Sequence, residues 1–154
     1  MKITLIAVGR LKESFWREAA EEYLKRLGPY ANVRVVEIAD RDSGRDANRA
    51  LAEEGADILR ALPEGAYVIT LEIGGKQRSS EAFSAHIDEL GLSGRSSIAF
   101  VIGGSVGLSA DVLARADERM SIGPMTLPHN MARVVLLEQI YRAFRISRGE
   151  PYHK

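Results

Sequence analysis

Apolar and polar positions alternate along this chain in two rhythms. Ile3 to Val8 is a short apolar run closed by Gly9, the pattern of a buried strand. From Leu11 to Leu27 the rhythm changes. Phe15, Ala19, Tyr23 and Leu27 recur every four residues, with Glu18, Glu21, Glu22, Lys25 and Arg26 between them, which predicts an amphipathic helix ended by Gly28-Pro29. Val33 to Ile38 reads as a second strand and the polar segment Ala39 to Asp46 as a loop. Ala47 to Leu62 reads as a helix. Tyr67 to Ile73 is a third strand, followed by Gly74-Gly75-Lys76. Ser79 and Ser80 precede a helix over Ala82 to Leu90, and Ile98 to Ile102 is a fourth strand. Strands alternating with helices of about 10 to 17 residues predict an α/β protein with a mostly parallel sheet and flanking helices. No internal repeat or linker divides the chain, so residues 1–154 are expected to form one domain.

The densest patterning lies between Ser97 and Ala143. Gly103-Gly104-Ser105-Val106-Gly107 follows the fourth strand, and Ser109 is placed to cap a short helix through Ala114. Glycines there let the backbone turn sharply and approach a ligand closely. The spacing is GGxxG, so it fits neither the GxGxxG dinucleotide fingerprint nor a P-loop, which would also need a lysine. Alone, it serves a tight turn as well as a ligand site. A second loop, Met120 to Leu127, carries Gly123-Pro124 past another short strand. Pro128 then stands at the head of a helix reaching about Ser147. Two such loops at neighbouring strand ends make a cleft lined by backbone N–H and C=O groups. These suit an adenine edge and a ribose better than a triphosphate. The last helix is apolar over most of its circumference, which fits either a central helix in one core or a second face buried in a subunit interface.

Composition narrows the chemistry. The chain has no cysteine, which removes disulfides, thiolate catalysis and Cys-based zinc sites. His86, His129 and His153 lack metal-ligand spacing, so no metal is expected. Twenty-one basic residues balance 21 acidic ones, and the overall charge does not point to nucleic acid. The charges are unevenly spread, however. Arg133, Arg142, Arg145, Arg148 and Lys154 face only Glu138 and Glu150 in the C-terminal stretch. That excess suits an anionic partner, or the negative end of a helix macrodipole. The N-terminal apolar run is too short for a signal sequence and nothing approaches a membrane span, so a cytoplasmic location without a membrane partner is expected.

Together FVIGGSVGLS, SIGPMTLPHNMARVVLLEQIYRAF and the terminal RGEPYHK resemble the RlmH-type enzymes of the SPOUT methyltransferase class. The opening IAVGR, the TLEIGGK segment and the length agree with the resemblance over the whole chain. It implies a SPOUT fold with a deep C-terminal trefoil knot, and S-adenosylmethionine as methyl donor. It further implies a homodimer that methylates N3 of a pseudouridine in the helix 69 loop of 23S ribosomal RNA on the ribosome, with no DNA partner. Carried over by position, the cofactor contacts are Leu71, Gly103, Ile122, Gly123, Pro124, Met125, Thr126 and Leu127. The candidates for catalysis are His129, Arg142, Tyr152 and His153. Taken without the resemblance, His129 suits local bonding at a helix N-terminus as well as catalysis, and the terminal residues would be expected to fray. Two other classes remain open: an RNA-binding module retaining the fold without catalysis, and a nucleotide-binding enzyme in which the glycine turn holds a phosphate.

Overall fold

The computed structural model describes residues 1–41, 44 and 46–152. In chain order the elements are β1 (Lys2–Val8), α1 (Ser14–Leu27), β2 (Asn32–Ile38), α2 (Ala47–Ala61) and β3 (Tyr67–Gln77). They continue with α3 (Ser80–Leu92), β4 (Ser97–Ile102), α4 (Ala110–Arg115), β5 (Glu118–Ser121) and α5 (His129–Ser147). The five strands form one parallel sheet in the order β2-β1-β4-β3-β5. The α/β expectation is met.

The near-continuous apolar runs of β1 and β4 have a direct cause: both faces of the sheet are covered. Ile3, Leu5 and Ala7, with Ile98, Phe100 and Ile102, point into a core shared with α1, α3 and α5. Ile6 and Val8, with Ala99 and Val101, point to the opposite core, which Ile58 of α2 and Val112 of α4 complete. Side-chain oxygens at the helix starts cap orphan amides. Ser79 accepts from Ala82 N at 3.1 Å, Ser109 from Val112 N at 3.3 Å, and Asp46 from Arg49 N at 3.0 Å.

Two expectations are corrected. The buried side of α1 does not begin at Phe15, which is 60% exposed. Ala20 and Leu27 are in the core, and Trp16, Tyr23 and Leu24 pack against it half-buried. A four-residue repeat drifts around a 3.6-residue helix, and the larger indole, half-buried, packs against the core in place of the phenyl ring. The third strand also does not stop before Gly74-Gly75-Lys76. It continues to Gln77 through a register shift in which both Leu71 and Lys76 pair with Met120 of β5. The intervening residues 72–75 bulge out of the ladder, and Gly75 is what lets the strand return. A Cβ there would lie 2.5 Å from the Met120 carbonyl carbon and 2.7 Å from its nitrogen.

Candidate functional site

The carboxyl ends of β3, β4 and β5 open on a cleft of about 570 Å³, within the usual range for a small-molecule site. Three stretches far apart in sequence build its walls. Leu71, Glu72 and Ile73 come from the bulge of β3, residues 102–108 from the glycine turn, and residues 121–132 from the loop into α5. Of the eight residues expected to contact a cofactor, Leu71, Gly103, Ile122 and Gly123 line the cleft, as do Met125, Thr126 and Leu127. Pro124 lies in the same loop but outside the lining. Sequence reading missed Glu72, Ile73 and Ser121. Gly74-Gly75 was the available signal for the first two, because a glycine pair inside a strand marks a bulge.

Local bonds hold each wall in place. The glycine turn closes with Gly107 N donating to Gly104 O at 3.1 Å, and Gly107 takes a positive φ of 80°. At Gly103 a Cβ would stand 2.7 Å from Gly107 O and 2.9 Å from Gly107 C, so the turn excludes any side chain there. Buried Ser121 pins the second loop through one residue: its hydroxyl donates to Gly123 O at 3.0 Å and accepts from Gly123 N at 3.1 Å. The strand leading into that loop is anchored at its start by Glu118. This carboxylate binds Arg78 Nη1, accepts from His86 Nε2 at 2.6 Å and lies 3.3 Å from the Tyr67 hydroxyl. Burial, and then the Glu118 charge, push the Tyr67 hydroxyl above its ordinary range. His86 is thus a structural partner of a half-buried carboxylate.

Beneath the glycine turn sits an unusual carboxyl group. Glu54 of α2 is 2% exposed, and its Oε1 lies 3.6 Å from where a Cβ on Gly104 would be. Arg41 N donates to Oε2 at 2.9 Å, while Oε1 has no partner among the described residues. Burial raises its pKa above the ordinary carboxylate range. The Arg41 N–H partly offsets this, and Asp40 pushes it up further. The folded state therefore holds this proton more tightly than the unfolded chain. Stability from this group is complete below the ordinary carboxylate range and is lost as pH rises through the raised value. Glu54→Gln, whose amide can still accept from Arg41 and donate to Asp40, should flatten that fall. Its Tm at pH 8 should exceed the wild type's by about 3 °C for each kcal/mol recovered, while the two melt alike at pH 4. Parallel Tm-against-pH curves from calorimetry would refute the assignment.

The catalytic candidates separate. His129, the first residue of α5, lines the cleft, with Nε2 3.9 Å from the position of a Cβ on Gly9. Arg142 lies about 20 Å further along the helix axis, at 1.5 Å per residue. It comes together with Tyr152, not with the cleft. The guanidinium stands 4.1 Å from the Tyr152 ring centroid, and its Nε donates to Glu138 Oε1 at 2.9 Å. Tyr152 donates its hydroxyl to the same oxygen at 2.8 Å and meets Tyr141 edge-on at 5.2 Å. Burial, followed by the bond to Glu138, pushes the Tyr152 hydroxyl well above its usual range. Tyr152 is docked, against the expectation of fraying that holds without the resemblance. His153 lies outside the described residues.

A family model described as "Predicted SPOUT methyltransferase" matches residues 1–153. The chain belongs to the SPOUT methyltransferase family. Proteins named "Ribosomal RNA large subunit methyltransferase H" from Listeria monocytogenes and Clostridium acetobutylicum are each 51% identical to this SPOUT methyltransferase. One from Carboxydothermus hydrogenoformans is 49% identical. All three alignments cover 100% of both chains. In fold, the chain is similar to TrmJ from Z. mobilis, with TM-score 0.57 and 16% identity over all of this chain and 73% of that one. It is similar as well to a probable methylase family protein from Haemophilus influenzae, with TM-score 0.54 and 14% identity over 99% of this chain and 70% of that one.

SPOUT methyltransferases take their methyl group from S-adenosylmethionine, and the residues present fit that group. Gly103 lets the turn close against Gly107 with no side chain between, the lining takes in glycines of both loops (Gly103, Gly104, Gly107 and Gly123), and Leu71, Ile102 and Leu127 supply apolar wall. No group of three or more His, Cys, Asp or Glu among the described residues could hold a metal ion. None of their helices is long and apolar enough to cross a membrane.

Proposed function

We propose that this protein is a cytoplasmic homodimer of single-domain subunits spanning residues 1–154. Each subunit transfers a methyl group to N3 of a pseudouridine in the helix 69 loop of 23S ribosomal RNA on the assembled ribosome. The observation that carries this reading is about half identity over full length to proteins named as large-subunit ribosomal RNA methyltransferases, combined with a cleft built by the two loops that the resemblance singled out. The C-terminal trefoil knot belongs to the same proposal. It is supported by the path of α5, which leaves the edge strand β5 and packs back against α1, α3 and β4. The dimer is supported by Ile73, Ile122 and Met125, large apolar side chains of the cleft lining left exposed, and by exposed Met131 on α5.

When bound, S-adenosylmethionine supplies a methyl group on a sulfonium. Leu71, Gly103 and the loop 122–127 hold it and keep water from the methyl, Pro124 by stiffening the loop. The imide nitrogen of pseudouridine becomes a good nucleophile only once its proton leaves. Among the described lining residues the ionisable side chains are Glu72 and His129. Glu72 is paired with Arg119 Nε at 3.6 Å, so His129 is the group available to accept the proton. Arg142 and Tyr152 meet each other away from their own cleft; they serve, with His153, the cleft of a second subunit, presenting cation and ring to the target base.

Incubating the protein with S-adenosylmethionine labelled in its methyl group and intact ribosomes, then mapping the product, tests this reading. Label should appear at a single pseudouridine of large-subunit RNA. Cofactor binding without transfer would replace the enzyme by a binding module, and no cofactor binding would end the proposal.

A further inference from the structure

A second groove, also of about 570 Å³, lies at the carboxyl end of β1 beside the cleft. Arg10, Lys12 and Arg17 line it from the β1–α1 turn and the first turn of α1, and Arg133 lines it from α5. Two carboxylates share the lining, but they do not cancel these charges. Glu37 is already bonded to Arg133 Nη1 at 2.7 Å, which leaves Glu21 against three cations. Arg17 Nη1 donates to the carbonyls of Leu11 at 3.2 Å and Lys12 at 2.5 Å. The turn is thereby held with the Arg10 and Lys12 residues exposed.

Arg133 ties this groove to the cleft. It is 3% exposed, donates from Nη2 to Gly9 O at 3.0 Å, and keeps a buried Nε without a partner among the described residues. A guanidinium is an expensive group to bury incompletely bonded, and a nearby anion would offset that cost. Gly9 is also the residue that His129 faces from the cleft side. His129 and Arg133 are four residues apart, one turn along the same face of α5. Gly9 therefore lies between a residue of the cleft and a residue of the groove, close enough for a strand with one unit in the cleft to set its neighbouring unit at the cations.

We propose that this groove binds the phosphodiester backbone of the RNA strand whose base enters the cleft, an inference that rests on the function proposed above. Phosphate contacts of this kind set register without reading sequence. A protein of zero net charge needs them concentrated where the substrate enters.

The test is the double variant Arg10→Ala/Lys12→Ala beside wild type and Arg49→Ala, a control on the exposed face of α2. Initial rates of methyl transfer to intact ribosomes are measured between about 50 and 200 mM salt, with calorimetric titration of the cofactor. The double variant should raise KM for ribosomes about tenfold, with kcat and cofactor Kd unchanged. It should also make the slope of log KM against log salt shallower by about 1.4, or 0.7 for each lost contact to a single strand. The control should match wild type. Unchanged KM and slope in the double variant, or an equal loss in the control, would overturn the assignment. Wild-type transfer in the same assay separates that outcome from failure of the methyltransferase reading. If wild type transfers nothing, titrating a labelled RNA hairpin reads the groove alone, and equal affinity for wild type and variant sinks it.

Discussion

Gly103→Val should abolish cofactor binding while the protein stays folded. Even the first carbon of a side chain at this position would stand 2.7 Å from Gly107 O, 2.9 Å from Gly107 C and 3.0 Å from Leu108 Cδ2. The first two are backbone atoms of the same turn and cannot swing aside, so the turn must open. Opening it breaks the bond from Gly107 N to Gly104 O and moves the wall that faces the loop 122–127. The sheet below is unaffected, because Ile98 to Ile102 stay paired with β1 and β3 and packed on both faces. The expected stability loss is about 1–3 kcal/mol, the cost of strain at a special backbone position. The affinity loss should exceed a hundredfold by calorimetric titration. A cooperative melt together with wild-type affinity would show that the cofactor does not lie against this turn.

Removing residues 152–154 should do the reverse, leaving cofactor affinity within about twofold while methyl transfer falls at least a hundredfold. A loss of that size amounts to about 2.7 kcal/mol of transition-state stabilisation. The first half follows from distance, since Tyr152 docks on Glu138, Tyr141 and Arg142, away from the cleft. The second half follows from the ordering itself. A tyrosine held by a hydroxyl bond, an edge-on ring and a guanidinium over its face is a built feature, and one that contributes nothing to its own chain's cofactor walls. Tyr152→Phe, which keeps the ring contacts and loses the bond to Glu138, separates docking from chemistry. Single-turnover rates on ribosomes decide the matter, and a truncated protein with full activity would reduce the docked tail to packing.

Much of the architecture was legible because it is written locally. A strand buried on both faces must be apolar at nearly every position, and β1 and β4 are. Ser79 and Ser109 mark helix starts because a hydroxyl at that position accepts from an orphan amide. The glycine turn and the loop after β5 were visible as two breaks after two strands. Phe15 and Trp16 were not distinguishable, because adjacent aromatic residues on a helix differ in burial only through what packs against them. Arg133 read as one of several C-terminal cations. Only the approach of Glu37 and the Gly9 carbonyl makes it a buried guanidinium.

What the sequence by itself determined is therefore the set of pieces: parallel strands, flanking helices, a glycine turn without a phosphate lysine, and a helix headed by Pro128-His129. Period and turn chemistry act over a few residues, so one chain segment carries them whole. The tertiary structure decided which pieces meet. Strand order sets β5 beside β3, the Leu71–Lys76 register shift pushes Glu72 and Ile73 into the cleft, and Gly9 lies between His129 of the cleft and Arg133 of the basic groove. Those encounters join residues up to 124 positions apart, as between Arg133 and Gly9. They depend on packing across the sheet, which no local pattern encodes.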